Sequence, residues 1–166
     1  MGGKAFLALA TFAGMLLVAP AAAECVDRAA PRVDWRRCIF DRQELRDRDL
    51  SDASLRDASF VRADLSGTDM SRTDAFRAKF LSATLARAKF DEARLVEADL
   101  TKADLVGASL VRADLSRAHL FRSILRDANL SGAQLKGADL LDADLSGATW
   151  TDGKRVCAAG SIGRCN

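Results

Sequence analysis

The sequence predicts an all-β solenoid, in which the chain turns a corner every five residues and stacks its coils as strands stack in a sheet. The first observation is that 20 of the 23 positions at multiples of five, from 40 to 150, are Leu or Phe. The second is that 17 of the 23 positions two residues earlier are Ala. The third is that this period fits no standard element. Five residues advance about 140° on an α-helix, and an odd step alternates between the faces of a strand. A corner in each repeat points every Leu and Ala inward.

Residues 1–23 have the layout of a secretory signal peptide. Lys4 precedes an apolar run over residues 5–18, and Ala21 and Ala23 stand at the small-residue positions of a cleavage site before Glu24. The alternative is an uncleaved anchor, but the run is short for a membrane span. The sequence therefore predicts an exported, periplasmic or extracellular protein with no membrane span once the signal is removed.

Export makes disulfides the default interpretation of the four cysteines, which are Cys25, Cys38, Cys157 and Cys165. Metal binding is the alternative, but the chain has no Cys-x-x-Cys motif and its single histidine, His119, lies far from all four in sequence. Removal of the signal leaves 24 Lys and Arg against 23 Asp and Glu. Such a balance predicts a well-solvated surface and no nucleic-acid-binding tail.

The tandem motif A(D/N)LXX, seen in ADLVG, ADLSR, ANLSG, ADLLD and ADLSG, resembles the pentapeptide-repeat family over residues 38–152. The resemblance implies a right-handed quadrilateral β-helix with four repeats per coil, which gives about six coils for this chain. Phe40, Phe60 and Phe80 agree with four sides, because residues 20 apart then form one column.

Two places in this solenoid are expected to be weak. Ala75 lacks a large side chain at an inward position. Gln43 and Arg48 occupy positions of the first coil where a polar side chain enters the core only at a cost. We therefore expect regular coils from about Leu50 and a looser chain before it.

Both ends of a solenoid expose apolar cross-section and strand edge, so both need covers. Residues 24–37 are predicted to form an N-terminal cap, in which Pro31 and Trp35 supply bulk, and residues 153–166 a C-terminal cap. We expect Cys25 to pair with Cys38, and Cys157 with Cys165. Crossed pairs would have to span the coil stack, whereas disulfide partners lie within about 7 Å.

The sequence offers no constellation for catalysis. The chain has one histidine and no tyrosine, and its serines recur as repeat filler. The aspartates before each Leu are interpreted as makers of turn and surface hydrogen bonds, and the glycines after each Leu as turn formers. We expect no catalytic residue, no cofactor and no metal.

Two function classes follow. The first is a non-enzymatic scaffold or protein-interaction module, whose partner is a protein or another component of the cell envelope. The second is implied by the resemblance: some cytosolic members mimic DNA and bind gyrase through an acidic face. The signal peptide and the near-neutral charge both disfavour it, and no nucleic-acid partner is expected.

One candidate interaction face emerges when outward residues are sorted into columns by steps of 20. An apolar column edged with basic residues follows Phe40 and its equivalents. The face comprises Val61, Arg62, Leu81, Lys102, Phe121, Arg122 and Leu141. An exposed apolar stripe of this kind suits an anionic or mixed apolar partner. The alternative is that apolar side chains here merely suit a strand-like wall.

Overall fold

A backbone turn recurs every five residues from 31 to 150 in the computed structural model, which describes residues 25–166. The predicted signal peptide lies outside the described residues. One residue of each repeat pairs in parallel with the residue 20 positions later, from Asp34 with Ser54 to Asn129 with Thr149. This register places four repeats in each coil. Residues 25–166 contain no helix, and no strand longer than a single bridged residue. Accordingly, no helix in this part of the chain is long and apolar enough to cross a membrane.

The hydrogen bonds of one repeat, ADLVG at residues 103–107, explain why its residue types recur. The N–H of Ala103 closes the preceding turn at 3.0 Å, and that of Asp104 bonds the preceding coil at 3.0 Å. The N–H groups of Leu105 and Gly107 bond the following coil at 2.8 and 2.9 Å. The remaining N–H, that of Val106, donates to Asp104 Oδ1 at 3.0 Å. The aspartate thus satisfies the one donor that the backbone leaves free, which confirms its predicted role in turn hydrogen bonding.

Each corner from 30–33 to 145–148 is a type II β-turn, because its third residue has a positive φ and, except at 45–48, its fourth donates to its first. In the turn at 50–53, Asp52 has φ 58° and Ala53 N–H donates to the Leu50 carbonyl at 3.1 Å. Nineteen non-glycine residues adopt this conformation. It is disfavoured by about 1–2 kcal/mol for an L-residue. The N–H of the same residue offsets that cost by bonding the next coil, as Asp52 does to the Ser71 carbonyl at 2.9 Å.

The core is a continuous column of the inward Leu, Phe and Ala side chains. The rings of Phe40, Phe60 and Phe80 stack at centroid distances of 5.4 and 5.3 Å, as the register of 20 predicts. Ala75 is fully buried, and the expectation of a weak point there stays a prediction. Phe80 and Phe90 come from opposite sides of the same coil and meet edge to face at 5.8 Å.

The first coil is more regular than expected, so the prediction of a loose chain before Leu50 is wrong. Turns and parallel pairing continue back to residues 31 and 34. The coil is held by backbone bonds to the second coil, such as Leu45 N–H to the Asp64 carbonyl at 2.7 Å. Gln43 and Arg48 are exposed and leave Leu45 only half-buried, and the backbone ladder does not depend on them.

The two ends are closed differently. At the N-terminus the structure pairs Cys25 with Cys38, and Trp35 lies in the core against Phe40 with ring centroids 4.1 Å apart. Pro31 does not supply bulk, as it was expected to, because it is exposed. It takes the second position of a type II turn, which its fixed φ suits.

At the C-terminus, antiparallel pairing of Asp144 with Ile162 and of Thr149 with Val156 folds the tail over part of the last coil. The structure pairs the remaining cysteines, Cys157 and Cys165, at a Cα separation of 4.8 Å. This cover leaves Leu135, Ala138 and Leu140 half-buried at the end of the stack. The cap is therefore partial.

Candidate binding face

The coil has four outward sides, which we name by their inward residues. Side A is built on 40, 60, 80, 100, 120 and 140; sides B, C and D follow along the chain, starting from 45, 50 and 55. Side C therefore lies opposite side A. Each side presents three outward columns: the residues before the inward Leu, directly after it, and two after it.

All seven residues of the predicted face lie on side A. Val61, Leu81 and Phe121 are half-buried in the column directly after the inward residue, and Leu141 is 62% exposed at its end. From 61 to 141 the column spans four coil steps, or about 19 Å. Arg62, Lys102 and Arg122 are exposed in the adjacent column. The structure thus brings the candidate residues onto one surface, and their binding role stays a prediction.

Sides C and D show how charge is arranged elsewhere on the molecule. On each of these sides, one column is formed by the second residue after the inward one. The charge in this column alternates in sign from one coil to the next. The column on side C reads Arg32, Asp52, Arg72, Glu92, Arg112, and that on side D reads Arg37, Asp57, Arg77, Glu97, Arg117. Arg72 bonds Asp52 at 2.8 Å, and Arg112 pairs with Glu92. These bonds lower the pKa values of Asp52 and Glu92, so the carboxylates stay ionised well into the acid range.

The densest network lies on side D around Asp74. Its carboxylate accepts hydrogen bonds from Arg56 at 2.9 Å and from Arg94 at 3.0 Å. Both guanidinium groups, with that of Arg77, lie 4.7–5.1 Å from the ring centre of Phe76, within cation–π distance. Partial burial acts to raise the pKa of Asp74, but the two arginine bonds outweigh it and the pKa is lowered. An outward aromatic ring on this side is therefore covered by cations that have a carboxylate partner.

Side A departs from this arrangement. Among the basic residues of the middle coils, residues 50–133, four have no carboxylate oxygen within 4 Å: Arg62, Lys79, Arg87 and Lys102. All but Arg87 lie on side A. Over residues 58–122, Asp99 is the one acidic residue of side A, against four basic ones. Its Oδ1 is already engaged by the N–H of Thr101 at 3.0 Å.

Arg122 is the exception among the basic residues of this face. It reaches Asp142 at 3.2 Å and lies 4.8 Å from the ring centre of Phe121. The basic and apolar columns are thus in direct contact at this end of side A.

A further feature of side A was missed in the sequence. The N–H groups of Leu81 and Phe121 find no acceptor among residues 25–166. The signal was visible: Lys79 and His119 stand where the repeat usually carries the capping Asp or Asn.

The described residues show no arrangement suited to catalysis. His119 is exposed, as predicted, and pairs through its backbone with Asp99 and Asp139. No group of three His, Cys, Asp or Glu within residues 25–166 could hold a metal ion. An open cleft of about 390 Å³ at the N-terminal end is lined by Arg28, Ala29, Leu45 and Arg48, and contains no general acid or base.

These features define the class of the protein, which is a β-solenoid of five-residue repeats. Its distinctive surface is the outward side A. The pentapeptide-repeats family matches residues 38–80, 78–117 and 113–149, in eight copies. The chain belongs to the pentapeptide-repeat family.

Solved structures agree with this assignment. HetL, a pentapeptide repeat protein involved in heterocyst differentiation regulation from the cyanobacterium Nostoc sp. strain PCC 7120, is 35% identical with a TM-score of 0.51. The match covers 75% of this chain and 64% of HetL, so the chain spans less than two thirds of that protein. Rfr23 from the cyanobacterium Cyanothece 51142 is 22% identical with a TM-score of 0.55, over 71% of this chain and 88% of Rfr23.

A pentapeptide repeat protein from the Arabidopsis thaliana thylakoid lumen is 26% identical with a TM-score of 0.45, over 75% of this chain and 84% of that protein. No curated protein matches the chain.

Proposed function

We propose that this protein is an exported, non-enzymatic scaffold that binds a protein partner through side A. One observation carries the proposal: three of the four basic residues without a carboxylate partner in the middle coils lie on side A, beside its apolar column. From Asp52 to Arg117, the alternating columns of sides C and D already pair their own charges. Unpaired cations beside half-exposed apolar side chains are available to a partner that supplies both carboxylates and apolar groups.

The finer architecture belongs to the same proposal. The solenoid is right-handed with about six coils over residues 38–152, closed by caps at 24–37 and 153–166 after removal of residues 1–23. Four cysteines in two disulfides support an oxidising compartment. N-terminal sequencing of protein recovered from a periplasmic extract tests export, with a mature form beginning at Glu24 as the expected result. An intact N-terminus in the cytosol would contradict it.

The charges on sides C and D do not support a DNA-mimicking role. Mimicry of a duplex needs a continuous acidic face, whereas the columns of sides C and D alternate in sign. On side B, Asp64 and Asp144 each have an arginine partner, Arg46 at 2.7 Å and Arg126 at 3.9 Å.

Site-directed cross-linking in intact cells tests the docking face. A photo-crosslinking analogue of phenylalanine is placed at Leu81 on side A, and the matched control carries it at Val111 on side C. Both residues follow an inward Leu or Phe and both are half-buried. We expect one protein to be captured from position 81 and not from position 111. Equal capture from both positions, or capture from neither, would overturn side A as the docking face.

A further inference from the structure

We propose that side A binds an extended acidic segment of its partner, whose carboxylates accept hydrogen bonds from the free backbone N–H groups of Leu81 and Phe121. This inference rests on the proposed function and specifies the chemistry of the partner. The partner's carboxylates take the place of the capping aspartates that the repeat lacks at Lys79 and His119.

The molecule itself shows that such a cap can come from outside the repeat. Ser59 also stands where an aspartate is usual, and Asp41 of the neighbouring coil replaces it. Asp41 Oδ1 accepts from the N–H of Val61 at 3.0 Å and from the Ser59 hydroxyl at 2.6 Å. On side C, Asp91 serves Val111 in the same way at 3.2 Å. A carboxylate supplied by another chain meets the same geometry at Leu81 and Phe121.

The charge around these two donors separates them from the uncapped donors that follow Lys89 and Arg94. On sides C and D, Lys89 and Arg94 also replace the capping aspartate, but each has a carboxylate partner, Asp69 at 3.8 Å and Asp74 at 3.0 Å. Lys79 on side A has no such partner within 4 Å in the described chain. Arg62 and Lys102 stand in the neighbouring column in the same unpaired state. A bound carboxylate therefore gains both hydrogen bonds and charge compensation here.

The spacing of the two donors indicates the form of the segment. Leu81 and Phe121 are two coils apart, or about 9.6 Å at the strand spacing. One turn of polyproline II helix advances about 9.3 Å and repeats the same face every third residue. A segment with a carboxylate at every third position matches this distance, and its apolar residues contact the Leu81 and Phe121 side chains. A nucleic-acid backbone gives those side chains no apolar contact, and a bilayer cannot enter between the basic side chains to reach the N–H groups.

The test uses the purified, oxidised protein and a synthetic peptide of repeated Glu-Pro-Leu triplets, observed by amide NMR. We expect the amide protons of Leu81 and Phe121 to move downfield on saturation, as amides do when they donate to a carboxylate. The amide of Ala86 on side B serves as the internal control, since it is equally uncapped but has the neutral Thr84 at the capping position. We expect it to stay in place. A peptide with Gln in place of Glu should bind weakly and leave all three amides unmoved.

Two double variants separate the missing cap from the charge of Lys79. Lys79→Asn with His119→Asn supplies the cap within the chain, as Asn129 Oδ1 does for Ser131 N–H at 3.0 Å. Lys79→Gln with His119→Gln removes the same groups but leaves the donors free, as Gln134 leaves Lys136 N–H. We expect the Asn pair to bind the peptide about tenfold more weakly than the Gln pair. We also expect the Asn pair to have the higher Tm, which shows that it folds.

Several results would overturn the inference. One is binding of the Glu peptide with the Leu81 and Phe121 amides unmoved, and another is equal affinity of the Asn and Gln pairs. Tighter binding of phosphatidylglycerol vesicles or duplex DNA than of the Glu peptide would assign a different occupant. Cross-linking at Leu81 without the amide shifts retains the docking face and rejects carboxylate capping. The two proposals therefore fail separately.

Discussion

Sides A and C share one backbone, one core and one repeat, yet they treat charge in opposite ways. On side C, Arg72 and Arg112 alternate with Asp52 and Glu92, so each cation finds a carboxylate one coil away. On side A, the equivalent column carries Arg62, Ser82 and Lys102 without a carboxylate between them. Because the ladder fixes the backbone everywhere, outward residues are free to vary. The difference teaches that within the middle coils, residues 50–133, most cations are paired, and that three of the four unpaired ones lie on side A.

The largest expected effect tests whether both sides rest on one core. Leu100→Ala removes a fully buried side chain beneath side A, and Leu110→Ala removes its counterpart beneath side C. Each is expected to lower the free energy of unfolding by about 2–5 kcal/mol, since both leave a cavity. Denaturant unfolding measures the two losses. A loss at Leu100 far below that at Leu110 would mean that side A is more loosely packed, and not merely differently charged.

The next effect contrasts a paired carboxylate with an isolated one. Asp74→Ala on side D removes the acceptor of two guanidinium groups and of the Phe76 N–H, and is expected to cost about 1–2 kcal/mol, a range reduced for its solvent exposure. Asp99→Ala on side A removes only the acceptor of the Thr101 N–H, and is expected to cost less than about 1 kcal/mol. Thermal unfolding of both variants at one pH provides the comparison. Equal costs would contradict the distinction between sides.

Acidification should lower stability through the carboxylates that have arginine partners. The pKa values of Asp52 and Asp74 are lowered in the folded protein: Arg72 bonds Asp52, and two arginine bonds outweigh the burial of Asp74. A carboxylate whose pKa is lowered by folding stabilises the folded protein at pH values above the ordinary aspartate pKa of about 3.9. This stabilisation is lost as the pH falls through the lowered pKa of the folded state. We therefore expect Tm to vary little from pH 7 to pH 5 and to fall below about pH 4. The fall should be shallower in Asp74→Ala, and an unchanged slope would exclude that residue as a contributor.

The smallest effect on stability should come from the face itself. Leu81→Ser with Phe121→Ser alters two half-buried outward side chains and leaves the inward column intact. The free energy of unfolding should change by less than about 1 kcal/mol. The far-ultraviolet circular dichroism spectrum should keep the low helix content expected of this fold. A large loss of unfolding free energy would show that this column is a structural part of the solenoid wall and not a surface available for binding.

The sequence predicted what depends on the period of five. Inward Leu and Ala, turns with glycine, and the role of aspartate all repeat within five residues, so local spacing is enough to identify them. Ala75 lies in the core as the period predicts, and its effect on stability stays a prediction because the packing of a cross-section is not visible in linear order. The first coil was misjudged because backbone hydrogen bonds hold it, and these do not depend on the side chains of Gln43 and Arg48.

The sequence predicted which residues form the candidate face, but it did not predict which of their charges have a partner. Steps of 20 place Arg62 and Lys102 in one column as soon as four repeats per coil are assumed. Whether a basic side chain meets a carboxylate depends on its rotamer and on which oxygens are already engaged, as Asp99 is by Thr101. The free N–H groups of Leu81 and Phe121 are likewise identified only when every hydrogen-bond acceptor around them is known in three dimensions.

The register of 20 gives insertions and deletions in this chain an unusual geometry. Loss of a single repeat leaves the inward pattern unbroken, so the shortened chain still fills its core. It also rotates everything beyond the deletion by one side about the solenoid axis, and carries Phe121 away from Leu81. Loss of four repeats restores the alignment and merely shortens the rod by one coil, about 4.8 Å. The chain can therefore gain or lose 20 residues without changing which outward residues share a side. An insertion or deletion of any other length places the residues beyond it on different sides.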